Sequence, residues 1–240
     1  GNPRNSHNSG KGIYKSLDAG KTWKFIGLEQ TKTIHRIVIN PLNPNQIFVG
    51  AMGSIWGPNE ERGVFKSENG GLTWTKVLYV NNTTGCGDLV MDQNHPNKLF
   101  ACMYDYQRKP FTYRSGGKGS AIYLSNDGGS TWEKLGEKNG LPKGIIGRSG
   151  LAIGLNQTDR IYALIETEKN TLYRSNDGGQ NWSKITQNPN IGNRPFYYSE
   201  IYVDPSNENR IYSIWSQITK SEDGGKNWDI LADWGHIHPD

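Results

Sequence analysis

The sequence predicts an all-β fold, and three observations support that prediction. Only 34% of the 240 residues are apolar, while the chain contains 30 glycines and 8 tryptophans. This composition suits many short strands joined by tight turns. One eight-residue motif recurs five times, and a strand–turn–strand pattern precedes each of the last four copies. A four-stranded unit that repeats about every 50 residues predicts a β-propeller of four-stranded antiparallel blades.

The repeated motif is Ser-x-Asp/Asn-x-Gly-x-Thr/Asn-Trp. In one copy, Gly70 and Gly71 separate two strand-like segments and supply the positive φ that a hairpin turn needs. The Asp or Asn side chain is suited to accept backbone N–H bonds within the turn, and the Trp to pack between neighbouring sheets. We therefore assign structural roles to Asp18, Trp23, Asn69, Trp74, Asp127, Trp132, Asp177, Trp182, Asp223 and Trp228.

The strand pattern divides the chain 1–240 into parts of one propeller. The segments are a half blade at 12–26, four blades at 34–79, 86–135, 148–186 and 199–232, and the start of a further blade at 233–240. These segments do not close a ring, and an open end would leave sheet edges exposed. We therefore expect the chain to be part of a larger propeller and to have the remaining blades or domains of its parent chain as partners.

The five motif copies resemble the Asp-box, or bacterial neuraminidase (BNR), repeat. The chain is most similar to secreted bacterial repeat proteins of the sortilin-like and xyloglucanase-like kinds, with further likeness in segments 56–63 and 193–198. This resemblance implies a bacterial protein that is secreted or at the cell surface, in an extracellular or periplasmic setting.

Charge and composition exclude several other classes. The net charge is +4 with basic and acidic residues interspersed, so nucleic acid is not an expected partner. No stretch of about 18 apolar residues exists, so no membrane span is expected. We expect no cofactor and no metal. Cys86 and Cys102 fall on two neighbouring predicted strands, where both a disulfide and free buried thiols are compatible with the pattern.

Strand order predicts which end of the propeller carries function. The turn between the first two strands of a blade and the box turn lie at one end, and the long, dissimilar loops lie at the other. The loop at 103–121 is the longest and the most aromatic. We predict that these loops bind a glycan or a protein or peptide ligand through Trp56, Arg62, Tyr104, Tyr106, Arg108, Tyr113, Arg114, Arg194, Tyr197 and Tyr198.

The main functional prediction is a recognition or scaffold module, and the alternative is a glycoside hydrolase. Such an enzyme needs two carboxylates, about 5–5.5 Å apart when retaining and about 6.5–9.5 Å apart when inverting. Six candidates lie on the loop side: Glu60, Glu61, Asp88, Asp105, Glu166 and Glu200. The resemblance favours a xyloglucanase-like enzyme over a sialidase, because the Arg-Ile-Pro signature of sialidases is absent and Arg194-Pro195 is its nearest match.

Overall fold

A computed structural model describes residues 10–193, 195–196 and 199–233. The strands form one two-stranded sheet followed by four larger sheets. The two-stranded half blade contains β1 (Ile13–Lys15) and β2 (Lys24–Gly27). The first full blade contains β3 (Ile34–Ile39), β4 (Ile47–Ala51), β5 (Gly63–Ser67) and β6 (Thr75–Leu78). The second contains β7 (Thr84–Met91), β8 (Leu99–Arg108), β9 (Tyr113–Ser115), β10 (Ala121–Ser125) and β11 (Glu133–Lys134).

The last two blades have four strands each. The third contains β12 (Ser149–Ile153), β13 (Ile161–Ile165), β14 (Thr171–Ser175) and β15 (Ser183–Thr186). The fourth contains β16 (Glu200–Asp204), β17 (Asn207–Ile214), β18 (Ile218–Ser221) and β19 (Asp229–Ala232). Two 3₁₀ turns, Glu29–Thr31 and Glu137–Asn139, complete the regular structure of the described chain. Most of the segment interpreted as the start of a further blade, 234–240, lies outside the described residues.

Within each full blade, the main strands pair antiparallel in chain order. The first strands β3, β7, β12 and β16 lie side by side around a central axis. The predicted all-β fold of antiparallel four-stranded blades is confirmed. One local prediction was incomplete, because segment 103–121 is not simply a loop. Strand β8 continues to Arg108 and pairs with the extra strand β9, so a hairpin rises from the second blade.

The box turn is held by its own side chains. Ser125 Oγ accepts a bond from Gly129 N at 2.9 Å and donates to Asp127 Oδ1 at 2.8 Å. The Asp127 carboxylate accepts both the hydroxyl and the backbone N–H of Thr131, at 2.6 and 2.9 Å. These bonds from Thr131, followed by that from Ser125, lower the pKa of Asp127 to about 2.

Each full blade also ties its box turn to the turn between its first two strands. Gly128, whose φ is 67°, donates its N–H to the carbonyl of Asn97 at 2.9 Å. Gly70, Gly178 and Gly224 make the same bond in the other three blades. The two kinds of turn therefore lie at the same end of the sheets, as the strand order predicts.

The box tryptophans pack on the preceding blade. Trp182 is only 4% exposed and lies in a cluster with Leu135 and Leu141 of the second blade. Trp228 packs in the same way with Ile185 of the third blade. Trp23 belongs to the half blade, which no described blade precedes, and it is 63% exposed. Burial of the indole thus depends on a neighbouring blade and not on the box itself.

Replacing a buried box tryptophan should destabilise the fold. We expect Trp182→Ala to lower the free energy of unfolding by about 3–5 kcal/mol, because a large cavity would remain between two blades. The matched variant Trp23→Ala removes the same side chain from an exposed position and should change stability by only about 0.5 kcal/mol. Urea unfolding of both variants measures the difference, and equal losses would contradict the packing role.

Acid should remove the contribution of the Asp127 charge. Its folded pKa is about 2, below the ordinary value of 3.8, so ionisation favours the folded state above pH 4. That advantage declines as the pH falls towards 2. Asp127→Asn is a suitable comparison, because Asn69 already occupies this position in the second box. The unfolding free energies of the wild type and Asp127→Asn should converge between pH 4 and pH 2, whereas a pH-independent difference would exclude the carboxylate as the cause.

Candidate functional site

The loops opposite the box turns fold against one another. Met52 and Ile55 follow β4, Tyr104 and Tyr106 lie in β8, and Phe196 belongs to the loop before β16. These five residues form a separate apolar cluster, which we call the loop platform. The rings of Tyr104 and Tyr106 stack with their centroids 5.2 Å apart. Segments from three different parts of the chain therefore form one packed surface at this end of the blades.

The β8–β9 hairpin is attached firmly at its base. Tyr104 OH donates to Ser115 Oγ at 2.6 Å, and Ser115 Oγ donates to the carboxylate of Glu166 at 2.7–2.8 Å. The second oxygen of Glu166 also accepts the backbone N–H of Arg148 at 2.7 Å. Burial strongly raises the pKa of Tyr104, so its phenol stays protonated as a hydrogen-bond donor.

The two faces of the hairpin differ. On one face, Tyr113 packs on Phe196 of the loop platform, with 4.7 Å between ring centroids. On the other face, Gln107 and Arg114 are cross-strand neighbours. At the tip, Phe111 is 100% exposed. The paired hairpin thus presents an aromatic ring to solvent.

Arg62 lies inside the protein below the 51–63 loop and is 1% exposed. Its Nη2 donates to the carbonyls of Ser54 and Gly57, at 2.5 and 3.2 Å. Burial lowers the pKa of Arg62 to about 10, and the nearby Asp105 opposes that effect. The guanidinium therefore remains charged at neutral pH.

An ion-pair network crosses the axis of the blades at the loop end. Arg36 in β3 binds Asp88 in β7 through Nε at 2.8 Å and also binds Glu200 in β16 through Nη2. Arg148, just before β12, binds the other oxygen of Glu200 at 2.9 Å. Burial opposes ionisation of Arg36, but Asp88 and Glu200 outweigh it and raise its pKa. The network joins residues from all four full blades.

Protein donors occupy every carboxylate oxygen of Asp88 and Glu200. Asp88 Oδ1 accepts bonds from Arg36 and the Leu89 N–H, and Oδ2 accepts the Leu151 N–H at 2.9 Å. Glu200 is held through both oxygens by the two arginines. A general acid or a nucleophile must present an oxygen to its substrate. In this arrangement both oxygens of each carboxylate are already bonded to protein donors.

A cavity of about 460 Å³ lies along the axis beside this network. The first strands of the four blades line it, with Arg36 and Asp88 near one end. Its wall carries aliphatic side chains, and Ile37 and Ile39 are both about half exposed there. The cavity thus has aliphatic side chains along part of its wall and the charged network toward the loop side.

The predicted ligand-binding residues divide into three groups. Trp56, Tyr113 and Arg114 are exposed and Arg108 is half-buried, so they lie at the loop surface. Arg62, Tyr104 and Tyr106 are buried, because they support the hairpin and the loop platform from within. Direct ligand contact by these three would require the loops to move. Arg194, Tyr197 and Tyr198 lie outside the described residues.

The six carboxylate candidates do not form one site. Asp88 and Glu200 share Arg36, and Glu166 joins the same region through Arg148. Asp105 forms a 2.5 Å ion pair with Arg114 on the hairpin. Glu60 is exposed and Glu61 half-buried, and no ion pair involves either within the described ranges.

Sequence reasoning missed the partners that hold these carboxylates. Arg36 lies in the strand Ile34–Ile39, whose other residues are aliphatic except for His35, and a charge on an innermost strand is a usable signal of an axial contact. Nothing in the sequence around Ser115 indicated that its hydroxyl binds Glu166. The thiols of Cys86 and Cys102 are both free and buried, and burial raises the pKa of each.

Two negative findings apply to the described part of the chain. No group of three or more His, Cys, Asp or Glu side chains there is arranged to hold a metal ion. Nor is any helix within it long and apolar enough to cross a lipid bilayer.

Comparison with known proteins gives two family matches. The family described as "Sortilin, neurotensin receptor 3" (Sortilin-Vps10) matches residues 11–140, which is more than half of the chain. The BNR/Asp-box repeat matches residues 173–184. No curated protein matches the sequence.

Solved structures share the fold at low sequence identity. The GH74 xyloglucanase from Xanthomonas campestris superposes with a TM-score of 0.69 at 17% identity, over 93% of this chain and 36% of its own. The GH74 enzyme from Niastella koreensis gives a TM-score of 0.66 at 21% identity, over 90% of this chain and 34% of its own. The chain thus spans about a third of the length of these enzymes, and the likeness concerns the fold alone.

Removing Asp88 should test whether the axial network is structural. Asp88→Ala would remove one of the two carboxylates that bind Arg36 and would leave the buried Leu151 N–H without its acceptor, so we expect a loss of about 3–5 kcal/mol in the free energy of unfolding. Thermal and urea unfolding measure this loss. A variant with unchanged stability that had lost a polysaccharide-hydrolase activity present in the wild type would instead identify Asp88 as catalytic.

Proposed function

The chain belongs to the Sortilin-Vps10 family, and from that premise we propose that it is a recognition module whose loop face binds a glycan or a protein ligand. The observation that carries this proposal is the exposed aromatic surface on a packed support. Phe111 is wholly exposed at the tip of a hairpin whose base is fixed by Tyr104, Ser115 and Glu166.

Rigid support favours binding. Order imposed on a loop before a ligand arrives reduces the entropy lost when the complex forms. The loop platform provides that order, since Arg108 N–H also donates to the Ile55 carbonyl at 2.8 Å and links two loops. Trp56 is 43% exposed on one of the linked loops. Large exposed aromatic side chains at such positions are typical anchors for ligands.

The state of the carboxylates supports binding over hydrolysis. Asp88 and Glu200 are each held by arginine through hydrogen bonds to their oxygens, and Asp105 is paired with Arg114. None of the three offers an unpaired carboxylate to a glycosidic oxygen. The hydrolase alternative, a xyloglucanase-like activity of the parent protein, stays a prediction that rests on the GH74 fold likeness.

The setting proposed for this module is the exterior of a bacterial cell. The Asp-box repeat and the sortilin-like family resemblance are the supports for a secreted or cell-surface location. We also propose that further blades of the parent chain complete the ring, because Ile230 and Leu231 of the last described strand are about half exposed. In the earlier blades, the equivalent strand receives a box tryptophan.

Binding should depend on the loop face and not on the box face. We expect Trp56→Ala and Phe111→Ala each to weaken binding by roughly tenfold or more, the usual effect of removing an aromatic anchor. The matched control is Leu72→Ser, which removes an exposed apolar side chain from a box turn at the opposite end. The probes are immobilised xyloglucan, polygalacturonate and a displayed library of random peptides.

Two results would decide the proposal. Retention of one probe by the wild type and by Leu72→Ser, together with its loss in both loop variants, supports a recognition surface. Retention that is equally strong in all four proteins would overturn it. Release of reducing sugar from xyloglucan by the wild type would favour the hydrolase alternative.

A further inference from the structure

The loop face contains two guanidinium groups near the carboxylate of Asp105, and of these two Arg114 alone forms an ion pair with it. Arg114 Nη2 lies 2.5 Å from Asp105 Oδ1. Asp105 also attracts the charge of Arg62, while Arg114 repels it. Within the described residues, no salt bridge of Arg62 is present. This cluster, which we call the Arg–Asp–Arg cluster, therefore carries one positive charge in excess.

The excess charge is concentrated on buried atoms. Arg62 Nε and Nη1 are inaccessible to solvent and have no hydrogen-bond acceptor in the part of the chain that the structure describes. Only its Nη2 is satisfied, by two loop carbonyls. A buried cation with unsatisfied N–H groups is unfavourable unless an anion compensates it. The site is therefore suited to receive one more negative charge.

We propose that the Arg–Asp–Arg cluster binds the carboxylate of a hexuronate residue in an acidic polysaccharide. The proposal rests on the recognition function of the loop face. Arg114 is the direct contact, because 47% of its side chain is exposed, whereas Asp105 lies behind it with 11% of its side chain exposed. The planar guanidinium of Arg114 matches a carboxylate through two parallel hydrogen bonds.

Arg62 acts as a positioning residue in this exchange. When the ligand carboxylate binds Arg114, Asp105 loses part of its hold on that side chain and turns to the unsatisfied N–H groups of Arg62. Two guanidiniums then face two carboxylates, and the charge of the cluster is balanced. No covalent bond forms or breaks.

The surroundings favour a sugar over an acidic peptide. Gln107 is the cross-strand neighbour of Arg114 and offers an amide to ring hydroxyls. Tyr79 and Trp56 are both 43% exposed, and Trp56 immediately precedes the Gly57 carbonyl that Arg62 binds. A hexuronate carries a carboxylate and an apolar C–H face on one ring, which suits a guanidinium beside aromatic rings. A glutamate side chain has the carboxylate but lacks an apolar ring face that could stack on the aromatic side chains.

The test uses oligogalacturonate as the acidic probe, xyloglucan oligosaccharide as the neutral probe and poly-glutamate as the peptide probe. Isothermal titration of the wild type should give binding of oligogalacturonate that weakens as salt is added. Arg114→Gln should weaken it by roughly tenfold, since a charge-assisted bidentate contact is lost. Lys118→Gln removes an equal charge from an exposed residue near the same hairpin and serves as the matched control.

Two further variants should change the affinity for oligogalacturonate in opposite directions. Asp105→Asn leaves both guanidiniums without an internal carboxylate, so oligogalacturonate should bind more tightly. Arg62→Met removes the buried positive charge that Asp105 would pair with in the complex, so it should weaken binding of the acidic probe without affecting the neutral one. Melting temperatures of all variants confirm that the proteins are folded, and an affinity gain in Asp105→Asn cannot result from unfolding.

The outcomes separate this inference from the proposed function. Binding of xyloglucan oligosaccharide that requires Trp56, without binding of oligogalacturonate, overturns the hexuronate site and leaves the recognition function intact. Tighter binding of poly-glutamate than of oligogalacturonate overturns the sugar assignment in favour of an acidic peptide. Failure of every probe to depend on Trp56 or Phe111 overturns the proposed function itself.

Discussion

The packing of a box tryptophan on the preceding blade is the contact on which the rest of the structure depends. Trp182 and Trp228 are buried because the outer edge of an earlier blade lies against them, through Leu135 and Leu141 for Trp182 and Ile185 for Trp228. Trp74 adds a direct bond, since its indole N–H donates to the Ile26 carbonyl of the half blade at 2.7 Å. A blade alone would leave its largest side chain in water. One repeat can therefore be recognised in the sequence, but a single blade is not expected to be stable without its neighbour.

Once the blades are fixed in this way, their two ends are under different constraints. At the box end, the bond between Gly128 and Asn97 recurs in each full blade, so turn length and residue type are restricted. At the loop end of the described blades no bond recurs in all four, and segments such as 51–63 and 103–121 differ in length and composition. They are instead ordered by packing together in the loop platform. The scaffold thus allows the loops at one end to vary in length and sequence.

The fold class could be predicted because its signals are local and repeated. The positions of Gly, Asp and Trp in the box report the turn directly, and five copies leave little room for another fold. The site was less predictable, because its contacts join residues far apart in the chain. The Arg36–Glu200 pair spans 164 positions, and nothing beside either residue indicates the other. Similarly, Tyr and Arg are residue types that often contact ligands at a protein surface, but tertiary packing buries Tyr104 and Arg62.

The Arg36–Glu200 ion pair has a consequence for how the molecule unfolds. Repeat proteins usually behave as a row of units in which each unit senses only its immediate neighbours, so an end can fray while the middle persists. Arg36 belongs to the first full blade and Glu200 to the fourth, so their contact bypasses the two blades between them. Loss of the fourth blade would expose a charge on the first. Loss of the fourth blade therefore also removes an ion pair from the first, so the stabilities of these two blades are directly coupled.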